Sequence, residues 1–88
     1  MPNAAALARH ALGLDSQRTS YRNRYYCHPG TLEHAEWMRM VENGDAELGL
    51  NYSGRSTDMF ALTRKGAQAA LRPGESLDPE DFPPLEAA

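Results

Sequence analysis

Residues 46–71 read AELGLNYSGRSTDMFALTRKGAQAAL, and the spacing of the apolar residues changes along this stretch. Its first part alternates apolar and polar residues, which is the period of a half-buried strand. The residues expected to face inward in this strand are Ala46, Leu48, Leu50 and Tyr52. A polar turn follows, and then a second strand over residues 59–62, with Phe60 and Leu62 expected inward. The stretch therefore predicts a β-hairpin whose turn lies within residues 53–58.

One helix is predicted after this hairpin and another near the start of the chain. Thr63 can cap a helix over residues 64–71, because a Thr hydroxyl accepts a hydrogen bond from a free N–H group of the first helical turn. Asn3 can do the same for an Ala-rich helix that ends at Leu12. Gly13 then suits the left-handed conformation that commonly follows the last helical residue.

A further helix is predicted over residues 32–43, and it begins after a turn at Gly30 or Thr31. Its apolar residues recur at helical spacing and are expected to face the core. This stripe consists of Ala35, Met38 and Val41, with His34 and Trp37 beside it. We expect Trp37 in particular to be buried against the hairpin.

Two segments allow more than one interpretation. Residues 21–26, YRNRYY, fit either a short helix capped by Thr19 or Ser20, or an extended chain. Residues 75–88 form an acidic, Pro-rich C-terminal tail, which either wraps around the domain or is disordered. The side chains that would hold a wrapped tail are Leu77, Phe82 and Leu85. The remainder, residues 1–74, is expected to form a single compact helix–helix–hairpin–helix domain.

Residues 60–66, FALTRKG, resemble the wing end of winged-helix domains, where a strand ending in an aromatic-x-Leu-Thr pattern leads into a helix with Gly near its start. The resemblance extends over residues 32–71. Helices around a hairpin define an α+β fold, and the resemblance implies a small winged-helix-like domain with helices packed on a two-stranded β-hairpin. It also implies that the helix before the hairpin reads the major groove of DNA.

The helix over residues 32–43 is nevertheless a poor candidate for DNA contact. Its polar positions are Glu33, Glu36, Arg39 and Glu42. Because each phosphate contact requires a cation, this excess of acids would repel the DNA backbone. We therefore expect this helix to serve in packing.

Most of the chain resembles a group of small prophage proteins of proteobacteria. The matching runs are HALGL (residues 10–14), YRNRYY (21–26), the helix end at residues 37–44, FALT (60–63) and LRPGESLDPEDFP (71–83). This resemblance implies a phage or prophage origin. It carries no activity over to this chain.

The run of arginines and tyrosines before Cys27 is the better candidate for contact with nucleic acid. In this run Arg18, Arg22 and Arg24 alternate with tyrosines, and Tyr21 lies near the centre of the run. Arg binds phosphate through two N–H groups at once, and Tyr stacks on bases. Arg55 at the hairpin tip would add a contact from the wing. The alternative, which we favour from the sequence alone, is that the tyrosines belong to the core and the arginine stems cover them.

Charge and composition set limits on the partners. The chain of 88 residues carries a net charge of −3, but its first 72 residues carry +2 and its last 16 carry −5. Basic nucleic-acid-binding domains usually have a larger positive excess, so this balance neither favours nor excludes nucleic acid. No apolar run approaches the roughly 18 residues of a membrane span. The single cysteine excludes an internal disulfide and fits a reducing compartment, so we expect a cytoplasmic protein without membrane contact.

No group of residues predicts catalysis or a cofactor. Cys27, His28 and His34 are chemically able to bind a metal, but the CxxC spacing typical of zinc sites is absent. Cys27 and His28 do not form a catalytic dyad, because adjacent side chains generally point apart. We therefore expect no enzyme activity, no cofactor and no metal.

Two functional hypotheses follow from the sequence. The first is a small phage-type accessory protein that associates with nucleic acid through a winged-helix-like fold. The second is a protein–protein interaction module that acts on host or phage machinery, because acidic segments bind basic protein surfaces.

Overall fold

The computed structural model describes residues 3–49 and 57–83, in which helices and strands follow the order α1, β1, α2, β2, β3, α3. The helices are α1 (Ala4–Leu12), α2 (Leu32–Glu42) and α3 (Arg64–Ala70), and the strands are β1 (Tyr25–Cys27), β2 (Ala46–Gly49) and β3 (Asp58–Leu62). Each predicted helix is present, with bounds that differ from the prediction by at most one residue. The predicted α+β class is thus confirmed.

The helices begin where the sequence places capping side chains. Asn3, Thr31 and Thr63 each accept a hydrogen bond from the N–H of the third residue of their helix, at 3.2 Å in all three cases. Gly13 follows α1 with a φ of 81°, and its N–H donates to the last turn of that helix. These local bonds satisfy backbone groups that a helix end otherwise leaves unpaired, which is why the bounds could be predicted.

The sheet has three strands in the order β1-β3-β2, and both pairs are antiparallel. The predicted hairpin partners, β2 and β3, are paired, with Leu48 opposite Phe60. Of the predicted turn at residues 53–58, residues 53–56 lie outside the described residues, and Asp58 belongs to β3. The two-stranded sheet expected from the sequence was incomplete, because β1 adds to the free edge of β3 with Tyr25 opposite Phe60. Of the two interpretations of residues 21–26, the extended one therefore holds for Tyr25 and Tyr26.

An asparagine side chain continues the pairing of β1 and β3 beyond the end of β1. The Asn23 amide nitrogen donates to the Leu62 carbonyl at 3.0 Å, and the Leu62 N–H donates to the Asn23 Oδ1 at 2.8 Å. The amide thus satisfies both backbone groups of Leu62, as a neighbouring strand would.

The core centres on Trp37, which has no exposed surface and stacks on Phe60 with ring centroids 5.5 Å apart. Tyr25 contacts the same indole at 5.4 Å. The predicted burial of Trp37 against the hairpin is confirmed. The other fully or nearly buried apolar residues are Leu7, Ala8, Ala11, Leu12, Leu14, Cys27, Met40, Ala46, Leu62, Ala67, Ala70 and Phe82.

The prediction of which side of α2 faces the core was wrong. Trp37 and Met40 are buried, whereas Ala35 and Met38 are exposed and Val41 is only partly buried. The reason is that Trp37 has the largest apolar surface on this helix, and its stacking on the sheet fixes which side of α2 turns inward.

The inward face of β2 also differs from the prediction. Ala46 is buried, but Leu48 is 48% exposed. Because β2 is an edge strand, Leu48 has a sheet neighbour, Phe60, on one side only. Leu50 and Tyr52 lie outside the described residues. In β3, Phe60 and Leu62 are buried as predicted.

Residues 75–83 of the tail pack against the domain. Leu77 is partly buried and Phe82 almost fully buried, while Leu85 lies outside the described residues. Backbone bonds join Ser76 to the segment before β1, since its N–H donates to the Arg18 carbonyl at 2.9 Å and its carbonyl accepts from Ser20 at 3.0 Å. The wrapping alternative therefore describes this part of the tail.

An enclosed ion pair joins this tail segment to α1. Arg9 and Glu75 form two parallel hydrogen bonds, the longer of which is 2.7 Å, and both side chains are almost fully enclosed. Arg9 also donates to the carbonyls of Ala70 and Leu14. The Glu75 carboxylate accepts the Arg72 N–H at 2.7 Å. These bonds lower the pKa of Glu75 to about 2, the hydrogen bond from Arg9 contributing most.

Candidate nucleic-acid interface

The segment that carries the predicted Arg and Tyr residues runs back along the end of α1. The Tyr21 N–H donates to the Leu12 carbonyl at 3.1 Å, and the Arg24 N–H donates to the Ala11 carbonyl at 3.3 Å. Both acceptors belong to the last turn of α1, whose carbonyls have no partner within the helix. The backbone therefore fixes where these side chains emerge.

Arg22 is held in place by the end of α1. Its Nε and one Nη both donate to the His10 carbonyl, at 3.1 and 2.6 Å. Its guanidinium carbon also lies 5.3 Å from the centre of the Tyr21 ring, a cation–π contact. The Tyr21 ring in turn lies against Gly13, where the space for a β-carbon is occupied by that ring.

Arg22 and Arg24 meet at one groove on the surface. The groove, here called the arginine groove, is lined by His10, Arg22, Arg24, Tyr25 and Tyr26. Arg24 is exposed, and its guanidinium has no hydrogen-bond partner among residues 3–49 and 57–83. Two arginines, a histidine and two tyrosines thus line one concave surface, a composition that suits an anionic ligand with a flat ring.

The carboxylate of Asp15 lies near this groove. Asp15 accepts a hydrogen bond of 2.9 Å from His10 Nδ1 when that nitrogen is protonated. This bond lowers the pKa of Asp15, and the charge of Arg22 contributes to the same shift. Asp15 therefore offsets part of the positive charge beside Arg22 and leaves Arg24 as the freer cation.

The tyrosines of the run differ in burial. Tyr21 and Tyr26 are 49% and 51% exposed, whereas Tyr25 packs against Trp37. Burial raises the pKa of Tyr25, with Glu33 as the next contributor. The alternative that all the tyrosines belong to the core was therefore wrong for Tyr21 and Tyr26 and correct in part for Tyr25.

Two of the predicted contact residues, Arg18 and Tyr21, do not line this groove. Arg18 is exposed, but its backbone pairs with the tail and its side chain does not line the arginine groove. Arg55 lies outside the described residues. On α2, Arg39 pairs with Glu36 at 3.6 Å, so the cation of that helix is already engaged by an acid.

His10 is the groove residue that sequence reasoning did not assign. It precedes Arg22 by 12 residues, and no local pattern links them. The sequence feature that could have linked His10 to Arg22 is Gly13, because a turn there reverses the chain. The geometry of this turn depends on the contact between Gly13 and the Tyr21 ring, which the sequence does not show.

The residues considered for metal or catalytic chemistry are engaged in other contacts. Within the described residues, no three His, Cys, Asp or Glu side chains are placed to hold a metal ion together. His34 bonds to Asp58 at 2.8 Å and meets the Phe60 ring edge-on, which joins α2 to β3. Cys27 is buried, and burial raises the pKa of its thiol to about 11. At neutral pH this thiol is therefore protonated and a poor nucleophile.

Comparison with known proteins finds no match for this chain among protein-family models, curated proteins or solved structures. The resemblances to prophage proteins and to winged-helix domains therefore stay predictions. In the described part of the chain, every helix is too short or too polar to cross a membrane.

Proposed function

We propose that this domain is a phage-type accessory protein that binds nucleic acid through the arginine groove. The observation that carries this proposal is the meeting of Arg22 and Arg24 at one groove with the half-exposed Tyr26. The phage-type origin rests on the sequence resemblance alone.

The groove supplies the donors that a phosphate requires. The two bonds from Arg22 to the His10 carbonyl use two of the five N–H groups of a guanidinium. The other three have no partner in residues 3–49 and 57–83, and neither does the Arg24 side chain. Because the Arg22 side chain is already fixed, it loses little conformational freedom when it binds a ligand.

In this proposal, the winged-helix resemblance concerns the fold of the domain and does not concern how it binds nucleic acid. A helix-turn-helix motif places two successive helices before the hairpin, and the second lies in the major groove. In the fully described stretch between β1 and β2, only α2 is present. Since its polar positions are mainly acidic, we assign nucleic-acid contact to the arginine groove and not to α2.

Binding of labelled DNA and RNA, both single-stranded and duplex, over a series of salt concentrations tests the proposal. We expect measurable binding at low salt, and the variant with both Arg22→Ala and Arg24→Ala should lose about 1.5 units of the salt slope, because two phosphate contacts are removed. A variant with Arg39→Ala and Lys65→Ala is the matched control, since it removes two cations outside the groove. Absence of binding to every nucleic acid at low salt would contradict the proposal.

A second function, binding to a protein partner, is favoured by an adjoining apolar groove. Leu32 is 64% exposed and lines this groove with Ala6, Leu7 and Tyr25. Large exposed apolar side chains next to arginine and tyrosine are typical of protein interfaces. Purification of the tagged protein from its native host, with and without nuclease, distinguishes the two functions, because only a direct protein partner is retained after nuclease.

A further inference from the structure

We infer that the ligand of the arginine groove is single-stranded nucleic acid and not a duplex. This inference rests on the proposed function and specifies its substrate class. It depends on the position of Tyr26, on the form of the groove and on the charge of the neighbouring elements.

Tyr26 offers a ring face at the right place for an unpaired base. In β1 its neighbour Tyr25 packs on Trp37, and successive side chains of a strand point to opposite faces of the sheet. Tyr26 therefore lies on the face away from the helices, opposite Met59 of β3, and is 51% exposed. A base that stacks on this ring must be free of its own stacking neighbours, as in a single strand.

The arginines lie on the same groove as this ring. Arg24 precedes Tyr26 by two residues, and Arg22 is fixed beside it by the His10 carbonyl. A backbone phosphate can therefore contact guanidinium groups while the adjacent base covers Tyr26. Such alternation of cations and aromatic rings along one groove is the general mode of single-strand binding.

Among the described residues, no helix or strand is suited to binding a duplex. A protein that reads the base edges of a duplex inserts a helix or a β-ribbon into a groove of the DNA, and this element carries cations where it meets the backbone. The charged residues of α2 are Glu33, Glu42 and the paired Glu36 and Arg39. In a duplex the bases are also stacked on one another, so Tyr26 would have no base face to contact.

Fluorescence anisotropy with oligo-dT, and with the same strand paired to oligo-dA, tests this inference at low salt. We expect the single strand to bind at least about tenfold more tightly than the duplex. Tyr26→Ala should weaken binding of the single strand by about tenfold, whereas Tyr26→Phe should leave it nearly unchanged, because the ring face is kept. Tyr26→Leu keeps the apolar bulk without the ring and provides the same test if the alanine variant does not fold.

The outcomes separate this inference from the proposed function. Equal or tighter binding of the duplex, or equal affinity of the Phe and Leu variants for oligo-dT, would overturn the single-strand inference while nucleic-acid binding stands. No binding of either ligand by the wild-type protein would overturn both. An unchanged affinity in the Arg22→Ala, Arg24→Ala variant would show that the strand binds elsewhere and would also overturn the inference.

Discussion

Trp37 is the side chain on which the core depends most. It is fully buried and contacts Tyr25 and Phe60, so it joins α2 to two strands of the sheet. Its indole N–H has no hydrogen-bond partner in the described part of the chain. The contribution of Trp37 to stability therefore comes from the packing of its ring on Tyr25 and Phe60.

We expect Trp37→Ala to lower the free energy of unfolding by about 3–5 kcal/mol, enough to unfold much of a domain of this size. Trp37→Phe should cost clearly less, since it keeps a ring that can stack on Phe60. Thermal and urea unfolding measure both, with Met38→Ala as a control at an exposed position of the same helix. A Trp37→Ala protein with unchanged unfolding temperature would contradict the packing described.

The helices could be predicted from the sequence because their ends depend on neighbouring residues. Asn3, Thr31 and Thr63 act on N–H groups three residues away. The sequence pattern does not reveal why the FALTRKG run ends in glycine. The structure shows that a β-carbon at Gly66 would collide with the backbone of Asp45, just before β2. Such contacts between distant residues cannot be derived from local spacing.

β1 and the candidate site beside it could not be predicted from local spacing either. Its strand is short, and its partners in β3 lie more than thirty residues away along the chain. The run of arginines and tyrosines indicated chemistry without deciding its structure. Pairing with β3 exposes Tyr26 and packs Tyr25 on the core, and it thereby creates the arginine groove.

Asn23 provides a test of how β1 is held. Asn23→Ala leaves the Leu62 N–H and carbonyl without their partner, and we expect the free energy of unfolding to fall by about 1–3 kcal/mol. Hydrogen exchange should show faster exchange of the Leu62 amide in this variant. Gln17→Ala, which removes an exposed amide from the neighbouring loop, is the control and should change neither measurement appreciably. Unaltered protection of the Leu62 amide would contradict the role of Asn23.

The stability of the folded domain should fall in acid, because Glu75 becomes protonated. Its pKa is lowered to about 2 in the folded state, against an ordinary value of 4.5. A group whose pKa is lowered by folding stabilises the fold above its unfolded pKa, and this contribution is lost as the pH falls through the folded pKa. The wild-type protein should therefore lose this stabilisation between pH 4.5 and about pH 2.

The variant Glu75→Gln isolates this effect. At neutral pH it should unfold at a lower temperature than the wild type, and the difference between the two should shrink as the pH approaches 2. Glu80→Gln removes the same charge from an exposed position of the tail and serves as the control. A difference between Glu75→Gln and wild type that is constant over this pH range would rule out the proposed linkage.

The pair of Arg9 and Glu75 also has a consequence for synthesis of the protein. The two residues are 66 positions apart, and translation at about 5–20 residues per second separates their appearance by about 3–13 s. During this interval α1 lacks the partner of Arg9, the contact with α3 and the cover of the tail. The apolar side of α1 therefore stays uncovered for seconds in the nascent chain, which is long enough for a chaperone to bind it before residue 75 is made.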